Sequence, residues 1–330
     1  MEEAQPLTNI PDGDRSGAGE TDAIGALGGR VLAIVNASAG SASRSNDAAE
    51  RLEAIVRDRA GSCTILRTGD LGGMSPVLDR AKEADADMIV GIGGDGTVAA
   101  TASIAFAKRI PMAIGPAGTM NLVARDLALP LDALEAIEGL SRPSVRRIDV
   151  ATVNGHVFLH SCLLGVIPKL GKLRERARAA DSPAQLVRWA TMGAQALGQS
   201  EDLTLTLRTS EGEQTIQTSA LIVTNNQLAQ GNWMSHERDR LDAGVLGVYA
   251  STHKGLIGRL TMLGTLAVGQ LRGDPQMIST VCTGLSADAP GGELDVSNDG
   301  EVFKLRTPIR FEIHPRRLAV LVPSGEPAEA

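Results

Sequence analysis

Apolar positions come in short runs along the first third of the chain, and these runs alternate with amphipathic stretches. Arg30-Val-Leu-Ala-Ile-Val35 is continuous enough for a strand buried on both faces, and the loop Asn36-Ala-Ser38-Ala-Gly40 follows it. From about Asn46 to Asp58, Ala48, Leu52, Ile55 and Val56 recur at helical spacing on one face. Cys63-Thr-Ile-Leu66 predicts a second strand ending at Thr68, and a helix over 75–84 leads to a third, Asp87-Met-Ile-Val90. A helix from Thr97 to Phe106 then precedes a fourth strand, Pro111-Met-Ala-Ile-Gly115. Strand and helix in alternation imply a parallel sheet covered on both faces, with ligands beyond the carboxyl ends of its strands. The loop after Val35, Thr68, the turn 91–97 and the turn after Gly115 all fall on that edge.

From about Arg147 the period changes. Short strands are predicted at Ile148–Val153, Val157–Cys162, Leu203–Leu207, Thr215–Val223, Val245–Tyr249 and Met277–Val281, and again at Glu293–Val296, Val302–Leu305 and Ile309–Ile313. Leu203-Thr-Leu205-Thr-Leu207 alternates as a half-buried antiparallel strand does. The fold class expected is therefore an α/β N-terminal domain with a parallel sheet, plus a C-terminal all-β sandwich domain. The expected organisation is an acidic, Gly-rich disordered tail over 1–27, an α/β domain over 28–147 and a β-sandwich domain over 148–317. The tail lacks the apolar core of a signal peptide. The longest apolar stretch, Leu256 to Leu271, is interrupted by Arg259 and glycines and is too short to span a bilayer.

Composition narrows the chemistry. Net charge is −7, which argues against general nucleic-acid binding, and aromatics are only 2%, so base-stacking platforms are not expected. The three cysteines, Cys63, Cys162 and Cys282, are widely spaced, which suits a reducing compartment and neither a disulfide framework nor a zinc site. His156 and His160 fall in a strand pattern with no acidic or cysteine partner, and His236, His253 and His314 are isolated, so all five histidines are expected as surface or core residues.

The turn Gly91-Ile-Gly93-Gly94-Asp95-Gly96-Thr97-Val98 carries the strongest chemical signal. Its glycines permit positive φ and close approach to bare amides, and a strand–turn–helix junction suits phosphate. Gly91, Gly93 and Gly96 match the dinucleotide spacing, but the next strand ends in Gly115-Pro116 with no acid for a ribose. A carboxylate in the turn also repels a pyrophosphate unless a cation intervenes, so a dehydrogenase is disfavoured. P-loop and protein-kinase motifs are absent. A second loop, Gly115-Pro-Ala-Gly118-Thr119-Met-Asn121-Leu-Val-Ala-Arg125, leads into a helix predicted to begin near Thr119, which can cap it. Glu301 follows Asp299-Gly300 in a turn between strands, as either a surface glutamate or a base. Lys169, Lys172, Arg174, Arg176 and Arg178 oppose only Glu175, with Leu170, Leu173 and Ala177 on one helical face. Such a segment is either a solvated face or a contact for anionic lipid.

Together, Asn36-x-Ser38-x-Gly40, Gly93-Gly94-Asp95-Gly96-Thr97, Pro116-x-Gly118-Thr119-x-Asn121 and Asp299-Gly300-Glu301 resemble the diacylglycerol kinase catalytic family. The resemblance covers roughly residues 30–323 and is closest to the soluble bacterial lipid kinases, which are related to sphingosine kinases. It implies an ATP-binding α/β domain, a β-sandwich lipid domain and a cleft between them, with the strand Leu318–Val322 returning to the first domain. Carried over by motif, Thr68 and Thr119 contact the nucleotide, while Gly93, Gly94, Asp95, Gly96, Thr97, Val98 and Ala99 cradle its phosphates. Asp95 turns toward the metal or the transferring phosphoryl group, and Glu301 is the general base. Asp242-Ala-Gly244 resembles a metal-linked motif but puts Ala243 where the family has Asp, so Asp242 is the remaining metal candidate.

The function expected is ATP- and Mg²⁺-dependent phosphorylation of a membrane-lipid hydroxyl, diacylglycerol-like or sphingoid. The alternatives are a soluble-substrate kinase of NAD-kinase type and a catalytically silent nucleotide- or lipid-binding regulator. Expected partners are the lipid, the membrane surface through the basic run, and a second copy as a homodimer, with no nucleic acid. The expected location is cytoplasmic and peripheral to the membrane.

Overall fold

A computed structural model describes residues 20–36, 42–168, 202–229, 240–267 and 274–324, together with residues 192, 195, 197, 198 and 238. The described chain divides into two units, one of residues up to Val150 and from Pro315 onward, the other of Ala151–His314.

In the first unit the apolar runs become parallel strands: β1 (Arg30–Val35), β2 (Ser62–Arg67), β3 (Met88–Gly93) and β4 (Met112–Pro116). Their order is β2-β1-β3-β4, with Val31 paired to Cys63 and Met88, and Val90 to Ala113. The helices that close these crossovers are α2 (Ala42–Asp58), α4 (Met74–Glu83) and α5 (Asp95–Lys108), with a short α3 (Thr68–Leu71) before α4. Val31, Val35, Val90 and Ile92 bury against Ala48, Leu52 and Ile55 of α2. Residues 20–27, expected in the tail, instead form α1 (Glu20–Gly25) and, with Gly28, a 3-10 turn (Ala26–Gly28). Leu27 enters the same core cluster, so its burial outweighs the polar composition around it. Beyond β4 come α6 (Leu122–Asp126) and α7 (Ala133–Glu138), the latter capped by Asp132 through the N–H groups of Leu134 and Glu135. The chain leaves this unit along β5 (Pro143–Val153) and returns along β16 (Ile309–Pro323), whose Val320 and Leu321 pair in parallel with Met112 and Ala113.

The second unit is built of antiparallel strands. One sheet has the order β12-β11-β10-β7-β14-β15: β12 (Met277–Cys282), β11 (Leu246–Ser251), β10 (Ala220–Asn225), β7 (Ser161–Gly165), β14 (Glu293–Asn298) and β15 (Glu301–Arg306). The start of β16 pairs with β13 (Gly284–Asp288), and β8 (Leu203–Thr209) and β9 (Gly212–Thr218) continue that sheet. A hairpin joins β5 to β6 (His156–Phe158). Leu164, Leu221, Val223, Val248 and Val296 of the first sheet share a core with Leu205, Leu285, Phe311 and Phe158 of the second group, which makes a sandwich. The outer face of the six-stranded sheet is covered by α8 (Gly255–Ala267), whose Met262 packs with Ile222, Tyr249 and Met277.

Two predicted strands are each two strands. Thr215–Val223 breaks at Ser219, where β9 stays with β8 while β10 joins β7 and β11, and Thr218 Oγ1 donates to the carbonyls of Ala220 and Ser251. Val157–Cys162 breaks at Leu159–His160, whose N–H groups turn to a side chain described below. Conversely, Ile309–Ile313 and Leu318–Val322 belong to one long strand.

Candidate active site

Three loops meet at the carboxyl edge of the parallel sheet. Asn36, just past β1, donates its N–H to the Ile92 carbonyl at 2.9 Å. Its side chain links the other two loops: Nδ2 donates to Thr97 Oγ1 at 3.2 Å, and Oδ1 accepts from Thr68 Oγ1 at 3.0 Å. The structure thus brings Asn36, Thr68 and Thr97 together, as the sheet rule predicts. Ser38 and Gly40 lie outside the described residues.

The glycine loop owes its composition to close packing. None of Gly91, Gly93, Gly94, Gly96, Gly115 and Gly118 has positive φ, so the freedom that glycine permits is not used here. A Cβ at Gly93 would lie 2.6 Å from Thr97 Oγ1, and one at Gly118 would lie 2.6 Å from the Gly94 Cα. The two loops therefore touch backbone to backbone, and Ala117 donates its N–H to the Gly93 carbonyl at 2.8 Å. Gly96 differs: it is exposed, and a Cβ there would meet nothing within 4 Å. Gly96 sits in the first turn of α5, where the leading N–H groups have no intrahelical acceptor and carry the positive end of the helix dipole. Val98 fits the phosphate cradle poorly, because its N–H is bonded to the Gly94 carbonyl and its side chain is buried. Ala99 follows it inside α5.

Asp95 is placed differently from expectation. Its Oδ2 accepts the N–H of Asn121 at 2.9 Å and its Oδ1 the N–H of Leu122 at 2.7 Å. These are the first donors of α6, so Asp95 caps a helix that begins at Leu122 and not near Thr119. Both carboxylate oxygens thus accept a backbone donor, and each keeps a second lone pair. Asn121 adopts φ +50° and closes the preceding turn with its amide, accepting from Gly118 N at 2.9 Å and donating to Gly118 O at 3.0 Å. Thr119 is exposed on that turn, and Arg125 Nε donates to the Met120 carbonyl at 2.9 Å.

The second unit holds Glu301. Strands β14 and β15 form a two-residue hairpin in which Asn298 pairs with Glu301, and the central Asp299 and Gly300 have φ of +44° and +94°. Positive φ at both central positions is the type I′ geometry that Asp-Gly favours. The Asp299 side chain turns inward and accepts N–H bonds from Leu159 at 2.7 Å, His160 at 3.0 Å and Ser161 at 2.8 Å. Burial pushes its carboxyl above the ordinary aspartate value, against the pull of these three donors and of Arg238. Asp299 thereby pins the hairpin on which Glu301 stands, a role the sequence signals only through the Asp-Gly turn. Glu301 is exposed by surface area, yet the protein around its carboxyl raises its pKa above the ordinary glutamate value.

Asp242 is paired with Arg240, whose Nε donates to Oδ1 at 3.0 Å. Among the described residues no three His, Cys, Asp or Glu side chains gather to hold a metal. The basic residues Lys169, Lys172, Arg174, Arg176 and Arg178 lie outside the described residues. Among the described residues no helix is long and apolar enough to cross a membrane.

Residues 30–153 match the diacylglycerol kinase catalytic domain family. A diacylglycerol kinase of Staphylococcus saprophyticus is 30% identical over 109 residues, which cover 32% of this chain and 36% of that protein. The chain thus aligns with only about a third of the length of this curated relative. The crystal structure of a diacylglycerol kinase from Bacillus anthracis str. Sterne superposes with a TM-score of 0.62 at 20% identity, covering 89% of this chain and 96% of that one. A second structure from the same organism, a candidate diacylglycerol kinase, reaches a TM-score of 0.64 at 20% identity, with 89% and 96% covered. Residues 30–153 are thus similar to the diacylglycerol kinase catalytic domain, and the chain shares the fold of the two Bacillus anthracis structures.

Proposed function

We propose that the protein is an ATP-dependent kinase that transfers the γ-phosphate to a hydroxyl of a membrane lipid, diacylglycerol-like or sphingoid. The observation that carries this reading is the joined edge of the parallel sheet. There Asn36, Thr68 and Thr97 are hydrogen-bonded beside a helix N-terminus left open at Gly96. Phosphoryl transfer asks little covalent chemistry of a protein and depends on positioning and charge neutralisation. Asn36, Ser38, Gly40, Thr68, Gly93, Gly94, Gly96, Thr97, Gly118, Thr119 and Asn121 line the nucleotide's place in this reading. The leading N–H groups of α5 face its phosphates. Mg²⁺ enters as the counter-ion of ATP. Asp95 is a positioning residue: it acts by holding the loop from Gly118 to Leu122 against the glycine turn.

Glu301 serves as the general base. It takes the proton of the lipid hydroxyl as the new O–P bond forms and ADP departs. A carboxyl whose pKa is raised by its surroundings is better matched to that task near neutral pH. The basic run from Lys169 to Arg178 draws the enzyme to anionic lipid, at about 1 kcal/mol per basic residue near the surface. The protein works in the cytoplasm at the membrane face, with a homodimer as its expected assembly.

The test is incubation with γ-labelled ATP, Mg²⁺ and a total lipid extract. Label is expected in an organic-soluble product. Label confined to a water-soluble acceptor such as a dinucleotide, or none transferred at all, overturns the reading.

A further inference from the structure

Helix α8 holds its charge inward while three large apolar side chains of its first half face outward. Leu256, Ile257 and Leu260 are 40%, 81% and 49% exposed, whereas Arg259 is 4% exposed. The Arg259 guanidinium donates to the Leu197 carbonyl at 2.6 Å and to Asp202 at 2.8 Å. Burying a guanidinium carries a desolvation cost that one carboxylate offsets only in part. Turning Leu256 and Leu260 inward would take a rotation of roughly 100° at about 3.6 residues per turn and would carry Met262 out of the core. Specific contacts prevent it. Met262 enters the core with Tyr249 and Met277. Just before the helix, buried His253 lies 3.2 Å from Asp274 Oδ2 and 3.0 Å from Ser251 Oγ. The apolar face is thus held outward by a buried polar framework.

What covers that face is indicated by its charge and its size. Residues 252–267 contain no carboxylate, although the chain as a whole carries a net charge of −7. Exposed Lys254 rims the face. Stable protein interfaces use about 20–30 residues a side, far more than this single helical strip presents. A short apolar strip beside a cation, with the helix axis along the surface, suits the boundary between headgroups and acyl chains.

The geometry points to α8 as a membrane-docking helix: Leu256, Ile257 and Leu260 insert into an anionic phospholipid surface while Lys254 meets its headgroups. The proposal rests on the lipid-kinase reading only for the reason to meet a bilayer. The contact itself is tested without catalysis.

The double variant Ile257→Glu/Leu260→Glu changes exposed positions, and an unchanged melting temperature will confirm its fold. Its partition onto equimolar phosphatidylcholine–phosphatidylglycerol vesicles is expected to fall at least about tenfold, with Ile257→Leu behaving as the parent. The added indole of Ile257→Trp is expected to be quenched by bromolipids in the same vesicles. Parent-like sedimentation of the double variant, or an unquenched indole, overturns the proposal. So does a double variant that loses a dimer in light scattering without vesicles, which assigns the face to a second copy. Transfer from labelled ATP to lipid in detergent micelles reports on the kinase reading separately. A parent that transfers nothing while the double variant leaves vesicles refutes the kinase and keeps the helix. A parent that transfers label while the double variant still sediments refutes the helix and keeps the kinase.

Discussion

The Asp95 carboxylate accepts the backbone N–H of Leu122 at 2.7 Å across 27 positions of sequence, and its second oxygen accepts that of Asn121. One side chain at the start of α5 therefore fixes where α6 begins. The loop between Gly118 and Leu122 is held against the glycine turn by this carboxylate and by the Gly94–Gly118 contact. Asp95→Asn keeps one acceptor and brings an NH₂ against an N–H donor. We expect a loss of about 1–3 kcal/mol in stability, read from urea unfolding, because a charge-assisted bond is removed. Turnover should fall at least about tenfold in parallel. Unchanged unfolding together with lost turnover would return Asp95 to a direct role on phosphate or metal.

Glu301→Gln keeps size and hydrogen bonding but cannot take a proton. ATP affinity should persist while transfer falls by roughly 10²–10⁴-fold. In the parent, kcat/KM should rise with pH as the Glu301 carboxyl deprotonates, with a midpoint above that of an ordinary glutamate because its surroundings raise its pKa. The Gln variant should lack that acidic limb. A variant that keeps the limb, or that loses ATP binding with chemistry intact, removes Glu301 from the base role.

Asp299→Asn tests the support beneath the base. Asn tolerates the left-handed backbone at this turn, and its Oδ1 can still accept from His160 and Ser161, but its NH₂ faces the Leu159 donor. We expect about 1–3 kcal/mol of destabilisation and a fall in transfer with ATP affinity retained. Equilibrium unfolding and nucleotide titration on the same protein decide it. Parent-like stability would show that the three donors find other acceptors.

Two glycines of the candidate site should differ in what they do to stability. Gly118→Ala forces a Cβ to within 2.6 Å of the Gly94 backbone, so both melting temperature and ATP affinity should drop. Gly96→Ala meets no protein atom within 4 Å and should melt as the parent does. It should nonetheless bind ATP more weakly, because the reading gives that space to phosphate. Full ATP affinity in Gly96→Ala would mean that the open end of α5 is not the phosphate seat.

The four parallel strands are legible because strands buried on both faces are continuous apolar runs, and Arg30–Val35 and Met88–Val90 have no other reading at that length. The convergence of Asn36, Thr68 and Thr97 follows from the same topology. The role of Asp95 does not, because no local pattern separates a carboxylate that caps a distant helix from one that meets a metal. The glycines are ambiguous for a related reason. A local reading allows them either positive φ or a close approach, and the backbone contact between Gly94 and Gly118 that decides for the second is tertiary. At Ser219 the chain changes sheet where polar Gln217-Thr218-Ser219 gives way to apolar Ala220–Val223, a shift that a single-strand reading passes over. Leu27 was hidden by its company: a few apolar residues between glycines and an acidic stretch read as tail until their burial is seen.

The return of β16 to the parallel sheet has a consequence for biosynthesis. Leu321 packs in the core cluster with Val31 and Val90, and its strand neighbour Val320 pairs with Met112. A ribosome delivers Val31 first and Leu321 nearly three hundred residues later. Until then β4 has an uncovered flank on that side, and the nascent nucleotide unit waits with an unpaired edge open to aggregation. The unit that begins first is completed last, so a chain that stalls after His314 leaves it without its final strand.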